Sequence, residues 1–247
     1  MKNFKLTLEF DGKDFKGWQI QGKGERTVQG ELSKVLFQIF KKKVTVIGSG
    51  RTDSGVHALG QVAHFKTATR MKPEQIQKAL NAQLPDDIVA VGVEGVLENF
   101  HAQFSAKSKI YRYSILNRSY PSAQNRGFVY YYRYPLNLSL LRKEANDLIG
   151  KNDFKSFQAT DHLRKNQDSV RTIKQVSIKK HKDIVLIDIE ADGFLYKMVR
   201  NLVGTLLEIG SGLLPRGSIK KILKQRNRIY AGTTAPAQGL CLLKVKY

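Results

Sequence analysis

Strand-like and helix-like patterns follow one another in both halves of the chain, and this repetition restricts the fold more than any other feature. Residues 6–10 alternate between apolar and polar, and an apolar face at helical spacing begins at Val28. The second half repeats this style, with two strand-like stretches within 172–190 before a strongly apolar helical stretch at 194–209. The sequence therefore predicts an α+β protein of two similar lobes, with largely antiparallel sheets and flanking helices around a central basic cleft.

The remaining elements follow from the same patterns. Further strands are predicted at 44–47, 61–65, 88–96, 110–116 and 240–246, and further helices at 28–39, after Pro73, and at 138–149 and 218–225. A tract rich in tyrosine and arginine near 118–135 separates the two halves. The lobes are therefore predicted at 1–117 and 118–247, the first with the turn that contains Asp53 and the second with the helix that contains Arg200.

The chain is strongly basic. Its 42 Lys and Arg residues outnumber its 21 Asp and Glu residues, which gives a formal net charge of +21. Such a surface attracts the phosphates of nucleic acids or anionic lipid heads. No stretch approaches the roughly 18 consecutive apolar residues of a membrane span, no signal peptide is evident, and Cys241 has no second cysteine with which to pair. We therefore expect a soluble, cytoplasmic protein that does not bind membranes.

One acidic residue stands in a short polar turn within residues 50–59, directly after an apolar stretch. Asp53 lies between two glycines and two positions after Arg51. An aspartate ionises at neutral pH in water, and a nearby arginine would keep it charged after a substrate has displaced the water. A carboxylate held in this way can act as a nucleophile or as a base. The same spacing also fits an ion pair that only ties down a turn.

The triplet Asp53-Ser54-Gly55 also matches the short signature of aspartic proteases. Those enzymes need two carboxylates that share a proton, and only a homodimer could supply the second one here. The polar residues before Asp53 and the basic charge of the chain argue against this interpretation.

Metal and nucleotide cofactors find no support in the sequence. The five histidines are scattered, and a single cysteine cannot build a thiolate site. Neither a phosphate-binding loop motif nor a complete dinucleotide fingerprint occurs. We therefore expect no metal and no nucleotide cofactor.

The strand predicted at 110–116 interleaves aromatic and cationic residues. Alternation places Tyr111 and Tyr113 on one face with Lys109 beside them, and Arg112 stands between the tyrosines. This pattern suits base stacking and phosphate contacts, although tyrosine is also an ordinary strand residue.

The helix predicted at 194–209 contains an arginine within a broad apolar surface. Arg200 would need a partner if it were buried there, and Asp53 is a candidate. A position at the border of the apolar face, with the guanidinium in solvent, is the alternative.

These segments together are similar to the tRNA pseudouridine synthase A family, and the similarity runs nearly from end to end. The segment Arg51-Thr52-Asp53-Ser54-Gly55-Val56-His57-Ala58 is the most specific part of the match. Its companions, in chain order, are Gly17-Trp18-Gln19, Thr27-Val28-Gln29, Gly60-Gln61-Val62, Phe104-Ser105-Ala106, Tyr111-Arg112-Tyr113, Asp153-Phe154-Lys155-Ser156-Phe157, Met198-Val199-Arg200-Asn201 with Gly204, and Thr234-Ala235-Pro236-Ala237 with Gly239-Leu240.

The resemblance implies an isomerase that converts uridine to pseudouridine in the anticodon arm of tRNA, acts as a homodimer and needs no cofactor. It implies that Asp53 is the catalytic carboxylate and that Tyr111 packs against the target base. Arg200 would pair with Asp53, and Arg51 would help to position the RNA. The implied fold has two similar halves with the active cleft between them.

Two positions depart from the family pattern. Gln103 stands where the family usually has arginine, and Lys197 stands where histidine is frequent. The first departure bears on one RNA contact that the resemblance implies, and not on the chemistry.

Other cations are candidates for contact with RNA, and a non-catalytic RNA-binding or RNA-chaperone protein on the same fold is the alternative function. These candidates are Lys41, Lys42, Lys43, Lys107, Lys109, Arg112, Arg164 and Lys165. Each of them could equally be a solvated surface charge.

Overall fold

The computed structural model describes residues 1–22, 24–160 and 168–247, which form two compact units. The first unit comprises Met1–Lys107 and Cys241–Tyr247, and the second comprises Ser108–Leu240. The lobe boundary expected between 117 and 118 falls later in the chain than the division at 107–108. The reason is that the strand ending at Leu116 hydrogen-bonds to a strand of the second unit. That the units act as functional lobes stays a prediction.

The first unit is a mixed sheet with two helices. Its elements are β1 (Lys2–Phe10), α1 (Val28–Phe40), β2 (Val46–Gly48), β3 (His57–Thr67), α2 (Pro73–Asn81), β4 (Ile88–Val96) and most of β10 (Leu240–Lys246). The strand order is β4-β1-β3-β10. β1 is antiparallel to both of its neighbours, β2 is antiparallel to β3, and β10 runs parallel to β3.

Helix α1 shows how the sequence determines a helix in this unit. Thr27 is the N-cap, and its hydroxyl accepts a hydrogen bond from the Gly30 N–H at 3.2 Å. The helix buries Val28, Leu32, Val35 and Leu36, whereas Ile39, expected on the same face, is only half-buried. It ends at Lys41, whose left-handed backbone (φ 53°) stops the helical repeat.

Over residues 108–160 and 168–240, the second unit pairs an antiparallel sheet with three α-helices. Its elements are β5 (Ser108–Leu116), β6 (Tyr130–Tyr131), α3 (Leu138–Asn146), β7 (Gly150–Asp153), β8 (Val170–His181), β9 (Ile184–Ala191), α4 (Met198–Gly210) and α5 (Ser218–Gln225). The strand order is β5-β9-β8-β7, with antiparallel pairing throughout, and β6 adds to β5 in parallel. Three short 3-10 turns lie at Lys155–Phe157, Arg228–Tyr230 and Ala237–Gly239.

Helix α4 is the apolar helix of this unit, and it begins later than its side-chain pattern predicts. The pattern starts at Phe194, but the helix starts at Met198 because Lys197 has a left-handed backbone with φ 57°. From there it is buried on nearly all sides, including the polar residues Asn201 and Thr205.

The predicted α+β class is confirmed. Sheet pairing is mostly antiparallel, and five α-helices occur in the three ranges that the structure describes. Within the same ranges, no helix is long and apolar enough to cross a membrane. Two residues named from the sequence, Arg164 and Lys165, lie outside the described part of the chain.

Candidate active site

Asp53 lies on the connection between the antiparallel neighbours β2 and β3. We call residues 49–56 the Asp53 loop. The loop begins where the Ser49 N–H donates to the Val62 carbonyl at 2.7 Å, which extends the β2–β3 pairing by one bond. The loop therefore leaves the sheet in a direction set by strand pairing.

A buried glutamine fixes the first residues of the loop. Gln61 lies in β3 and is fully buried. Its side-chain Oε1 accepts from the Ser49 hydroxyl at 2.7 Å and from the Val62 N–H at 3.1 Å. Its Nε2 donates to the Gly50 carbonyl at 3.1 Å. One side chain thus satisfies several buried polar groups at the base of the loop.

The segment 12–18, which we call the bracing segment, holds the rest of the loop. The Trp18 N–H donates to the Thr52 carbonyl at 3.1 Å, and the Ser54 hydroxyl donates to the Phe15 carbonyl at 3.1 Å. The Gly55 N–H donates to the same Phe15 carbonyl at 3.3 Å. Trp18 itself is buried, and its indole packs on Gly48 at the end of β2.

The close approach of the two segments depends on Gly17. This residue has φ +94°, and a Cβ added to it would lie 2.6 Å from the Thr52 carbonyl oxygen. No real Cβ sits at that distance from another atom, so only glycine fits there without a shift of the loop.

The loop presents its charged residues and buries their neighbours. Thr52 and Val56 are buried, Asp53 is half-buried, and Arg51 is exposed. The Asp53 carbonyl accepts from the Val56 N–H at 3.2 Å, and Gly55 has φ +78°, as the third position of a type II turn requires. The Asp53 carboxylate is therefore displayed from a turn whose backbone is fixed on both sides.

Tyr111 lies in the second unit, on β5. Its side chain is buried, and its ring meets Phe194 edge-to-face, with centroids 5.1 Å apart. Two positions along the same face, the fully buried Tyr113 donates its hydroxyl to the Pro236 carbonyl at 2.7 Å. Burial raises the pKa of Tyr113 well above its usual value, against the nearby charge of Arg200, so this hydroxyl stays protonated.

Lys109 lies on the same face of β5 as Tyr111 and Tyr113, near the start of the strand. Its ammonium group is largely removed from water, which lowers its pKa to about 8, and the charge of Arg171 acts in the same direction. At neutral pH Lys109 is still mostly protonated, but a modest rise in pH removes its charge.

Arg112 points from the other face of β5 and is held by its cross-strand partner. Its Nε and Nη2 donate to the two carboxylate oxygens of Asp188, each at 2.8 Å. Both groups are partly exposed. An RNA contact by Arg112, which stays a prediction, would have to share this guanidinium with Asp188.

Arg200 lies in the first turn of α4 and is tied to the segment 231–236. Its Nε donates to the Ala235 carbonyl at 2.8 Å, and the Ala235 N–H donates back to the Arg200 carbonyl at 3.1 Å. Arg200 is half-buried. The neighbouring Asn201 accepts from the Thr234 hydroxyl at 2.6 Å and from Arg228 at 3.2 Å. The contacts with Ala235 therefore orient the guanidinium of Arg200.

The predicted site residues thus fall into two groups. Arg51 and Asp53 share the Asp53 loop of the first unit, whereas Lys109, Tyr111, Arg112 and Arg200 belong to the second unit. An ion pair between Asp53 and Arg200 would join the units and stays a prediction.

Sequence analysis missed the residues that position these groups. Gln61, Asn201 and two residues of the bracing segment, Gly17 and Trp18, were noted only as part of family motifs. A polar Gln61 within an apolar strand pattern was the signal that could have revealed one of them. Among the described residues, no cluster of three or more His, Cys, Asp or Glu side chains could hold a metal ion.

A family model described as tRNA pseudouridine synthase matches residues 7–105 and 145–247 of this chain. The chain therefore belongs to the tRNA pseudouridine synthase family, whose members isomerise uridine to pseudouridine in tRNA. The predicted family and the predicted enzyme class, an isomerase, are confirmed. Arg51, Asp53 and Arg200 lie within the matched stretches, and Tyr111 lies between them.

Individual relatives match over their full length. A protein named tRNA pseudouridine synthase A from Thermoanaerobacter sp. (strain X514) is 44% identical over 247 residues, covering 100% of both chains. The protein of the same name from Clostridium acetobutylicum is 45% identical over the same span, again covering 100% of both chains. The one from Geobacillus sp. (strain WCH70) is 47% identical and covers 100% of this chain and 98% of its own.

Proposed function

We propose that this chain converts uridine to pseudouridine in the anticodon arm of tRNA, with Asp53 as the catalytic carboxylate. The observation that carries the assignment is the Asp53 loop. It is a turn braced on both sides that displays one half-buried aspartate, in a chain with a net charge of +21. Family membership supports the reaction, and the sequence of the loop supports the residue.

The reaction rearranges the substrate without adding or removing atoms overall. The bond between N1 of uracil and C1′ of ribose breaks, the base turns, and C5 bonds to C1′ while the C5 proton is lost and N1 gains one. An ionised Asp53 can add to C1′ as a nucleophile, or it can remove a ribose proton so that a glycal forms. Both routes require the carboxylate to be charged when the substrate arrives.

Tyr111 has the task of receiving the target base. Extrusion of a base from its stack costs a few kcal/mol, and stacking on an aromatic side chain returns about 1–3 kcal/mol per base. The edge-to-face contact with Phe194 and the strand pairing on β5 hold the Tyr111 ring in one orientation. A fixed ring loses little entropy when the base packs on it.

The cations have two tasks. Arg200, whose Nε is held by the Ala235 carbonyl, would pair with Asp53 and keep it ionised after water leaves. Arg51, Lys109 and Arg112 would contact the tRNA backbone or the extruded nucleotide. The partner is tRNA, and the enzyme acts as a homodimer in the cytoplasm.

The test is Asp53→Asn, which keeps the shape of the side chain and removes its charge. We expect tRNA binding to persist and turnover to disappear, measured as tritium release from tRNA labelled at C5 of uridine. Asp86→Asn is the matched control, since Asp86 is an exposed carboxylate of the same unit, and it should retain wild-type activity.

Two outcomes would overturn parts of the proposal. Near-wild-type tritium release by Asp53→Asn would reject Asp53 as the catalytic group. Binding of tRNA by the wild-type chain without release from any tRNA would favour the non-catalytic RNA-binding alternative. Mapping of pseudouridine in tRNA from a deletion strain would identify the uridines concerned.

A further inference from the structure

Three aromatic rings of the first unit form a stack that runs from the core to the solvent. The rings of His64 and His101 have centroids 4.8 Å apart and are tilted by 58°, whereas the rings of His101 and Phe104 are stacked at 4.3 Å with an interplanar angle of 24°. His64 is buried and His101 is half-buried, whereas Phe104 is 78% exposed. We call these three residues the ring stack.

The backbone around the ring stack is fixed by hydrogen bonds. Nδ1 of His101 accepts from the N–H groups of both Gln103 and Phe104 at 3.2 Å, and the His101 N–H donates to the Ser105 hydroxyl at 3.1 Å. The Ala102 N–H donates to Nδ1 of His64 at 3.1 Å. The exposed Phe104 is therefore held in place by its own turn.

His64 anchors this arrangement in its neutral form. Burial lowers the pKa of His64, and the charges of His101 and Lys66 lower it further. The neutral ring can accept the Ala102 hydrogen bond, which a doubly protonated ring could not do at Nδ1. On the other side of the turn, the Tyr247 hydroxyl donates to the Ala102 carbonyl at 2.8 Å.

An aromatic side chain with most of its surface in water gains little from the hydrophobic effect. Here the ring is nonetheless oriented by a stack and by a hydrogen-bonded turn. The Phe104 ring is stacked on that of His101 with an interplanar angle of 24°, so one more flat ring could pack on the outer face of Phe104. Lys66 lies close enough to the stack for its charge to act on His64, and the chain as a whole is strongly basic.

We propose that Phe104, backed by His101 and His64, is a stacking platform for an unpaired base of the tRNA outside the pocket for the target uridine. This inference rests on the proposed function and adds a second point of contact with the RNA. Bases that are not paired in a helix expose flat faces, and aromatic side chains bind such faces with little regard to sequence. Gln103, next to the platform, offers an amide where the family usually has a cation.

The test replaces only the aromatic face. Phe104→Leu keeps an apolar side chain and removes the ring, whereas Phe104→Trp keeps a ring. Phe37→Leu is the matched control, because Phe37 is an exposed phenylalanine of the same unit on α1. All three changes are made in the Asp53→Asn background, so that tRNA binding can be measured without turnover.

We expect Phe104→Leu to weaken tRNA binding about 5- to 150-fold, which corresponds to the stacking of one base. Phe104→Trp should stay within about threefold of the parent, and Phe37→Leu should match the parent. The slope of log Kd against log salt concentration should be the same for all of them, because stacking releases no counterions. In Phe104→Trp the new indole should be quenched when tRNA binds, since Trp18 is buried and contributes a constant signal.

Three results would overturn the inference. Equal Kd values for Phe104→Leu and Phe37→Leu would show that the ring does not contact RNA. An equal loss in Phe104→Leu and Phe104→Trp would show that stacking is not the interaction. A change of molar mass in light scattering with an unchanged Kd would make the platform a contact between protein chains.

The same experiment separates this inference from the proposed function. If the wild-type chain releases tritium from tRNA but the Phe104 and Phe37 variants bind tRNA equally well, the isomerase assignment is retained and the stacking platform is rejected. If the wild-type chain neither binds nor modifies tRNA, both fall.

Discussion

Replacement of Gly17 by alanine should damage catalysis through the backbone alone. The bracing segment contacts the Asp53 loop most closely at this residue, where φ is +94° and an added Cβ would lie 2.6 Å from the Thr52 carbonyl oxygen. Relief of the clash requires the contact to lengthen to at least 3.0 Å, a shift of 0.4 Å or more in the residue next to Asp53.

The magnitude follows from two costs. A left-handed backbone costs a non-glycine residue about 1–2 kcal/mol, and displacement of the loop adds to this. We expect a loss of about 2 kcal/mol of stability, or roughly 4–8 °C in Tm for a chain of this size. A misplacement of 1 Å can cost about 100-fold in rate, so a shift near half of that should lower kcat about tenfold.

The assay compares Gly17→Ala with Gly24→Ala by thermal unfolding and by tritium release. Gly24 also has a positive φ, +68°, but an added Cβ there would meet nothing within 4 Å. Gly24→Ala should therefore lose stability and keep its kcat, whereas Gly17→Ala should lose both. If Gly17→Ala turned over at the wild-type rate, the contact with Thr52 would not position Asp53 and the reasoning would be wrong.

Three further predictions concern Lys109 and Gln61. Because the pKa of Lys109 is about 8, we expect the affinity of the wild-type chain for tRNA to fall between pH 7 and pH 9. Lys109→Arg stays charged over this range and should remove the fall. Parallel pH profiles of Kd for the two proteins would contradict this expectation. The lowered pKa also means that folding disfavours the charged form of Lys109. Lys109→Met should therefore have a higher free energy of unfolding than wild type below pH 8. This difference in stability should shrink as the pH rises toward 10.5. Gln61→Met removes the side chain that bonds the Ser49 hydroxyl and the Gly50 carbonyl, and it should lower both Tm and kcat, with a stability loss of about 1–3 kcal/mol. An unchanged kcat would show that the loop does not depend on this side chain.

The sequence predicts elements well where side-chain periodicity decides the structure. The bounds of β4 and α5 agree with their patterns, because apolar alternation and a short amphipathic face are local properties. Helix α4 starts four residues late, since the left-handed backbone at Lys197 leaves no trace in the apolar pattern. Strand β7 was missed because its sequence, Gly-Lys-Asn-Asp, has no strand pattern and its pairing with β8 decides its structure.

The candidate site was predicted only in part for the same reason. The residues that carry charge in the Asp53 loop are visible as a motif, because they are adjacent in the chain. The contacts that hold the loop are not adjacent: Ser54 and Phe15 are separated by 39 positions, and nothing local marks them as partners. The requirement for glycine at position 17 can be recognised only when the position of the opposing Thr52 carbonyl is known.

The position of β10 has a consequence for the order in which the molecule can be completed during synthesis. Cys241 and Leu242 pair with His57 and Ala58, directly after the Asp53 loop, yet the whole second unit precedes them in the chain. At about 5–20 residues per second, a ribosome needs roughly 7–27 s to make that unit after β3 has emerged. Throughout that interval β1 can pair with the start of β3, but the parallel partner on its other side is absent. A product that stops before residue 241 would therefore carry every candidate catalytic residue and lack the strand that pairs with β3 directly after the Asp53 loop.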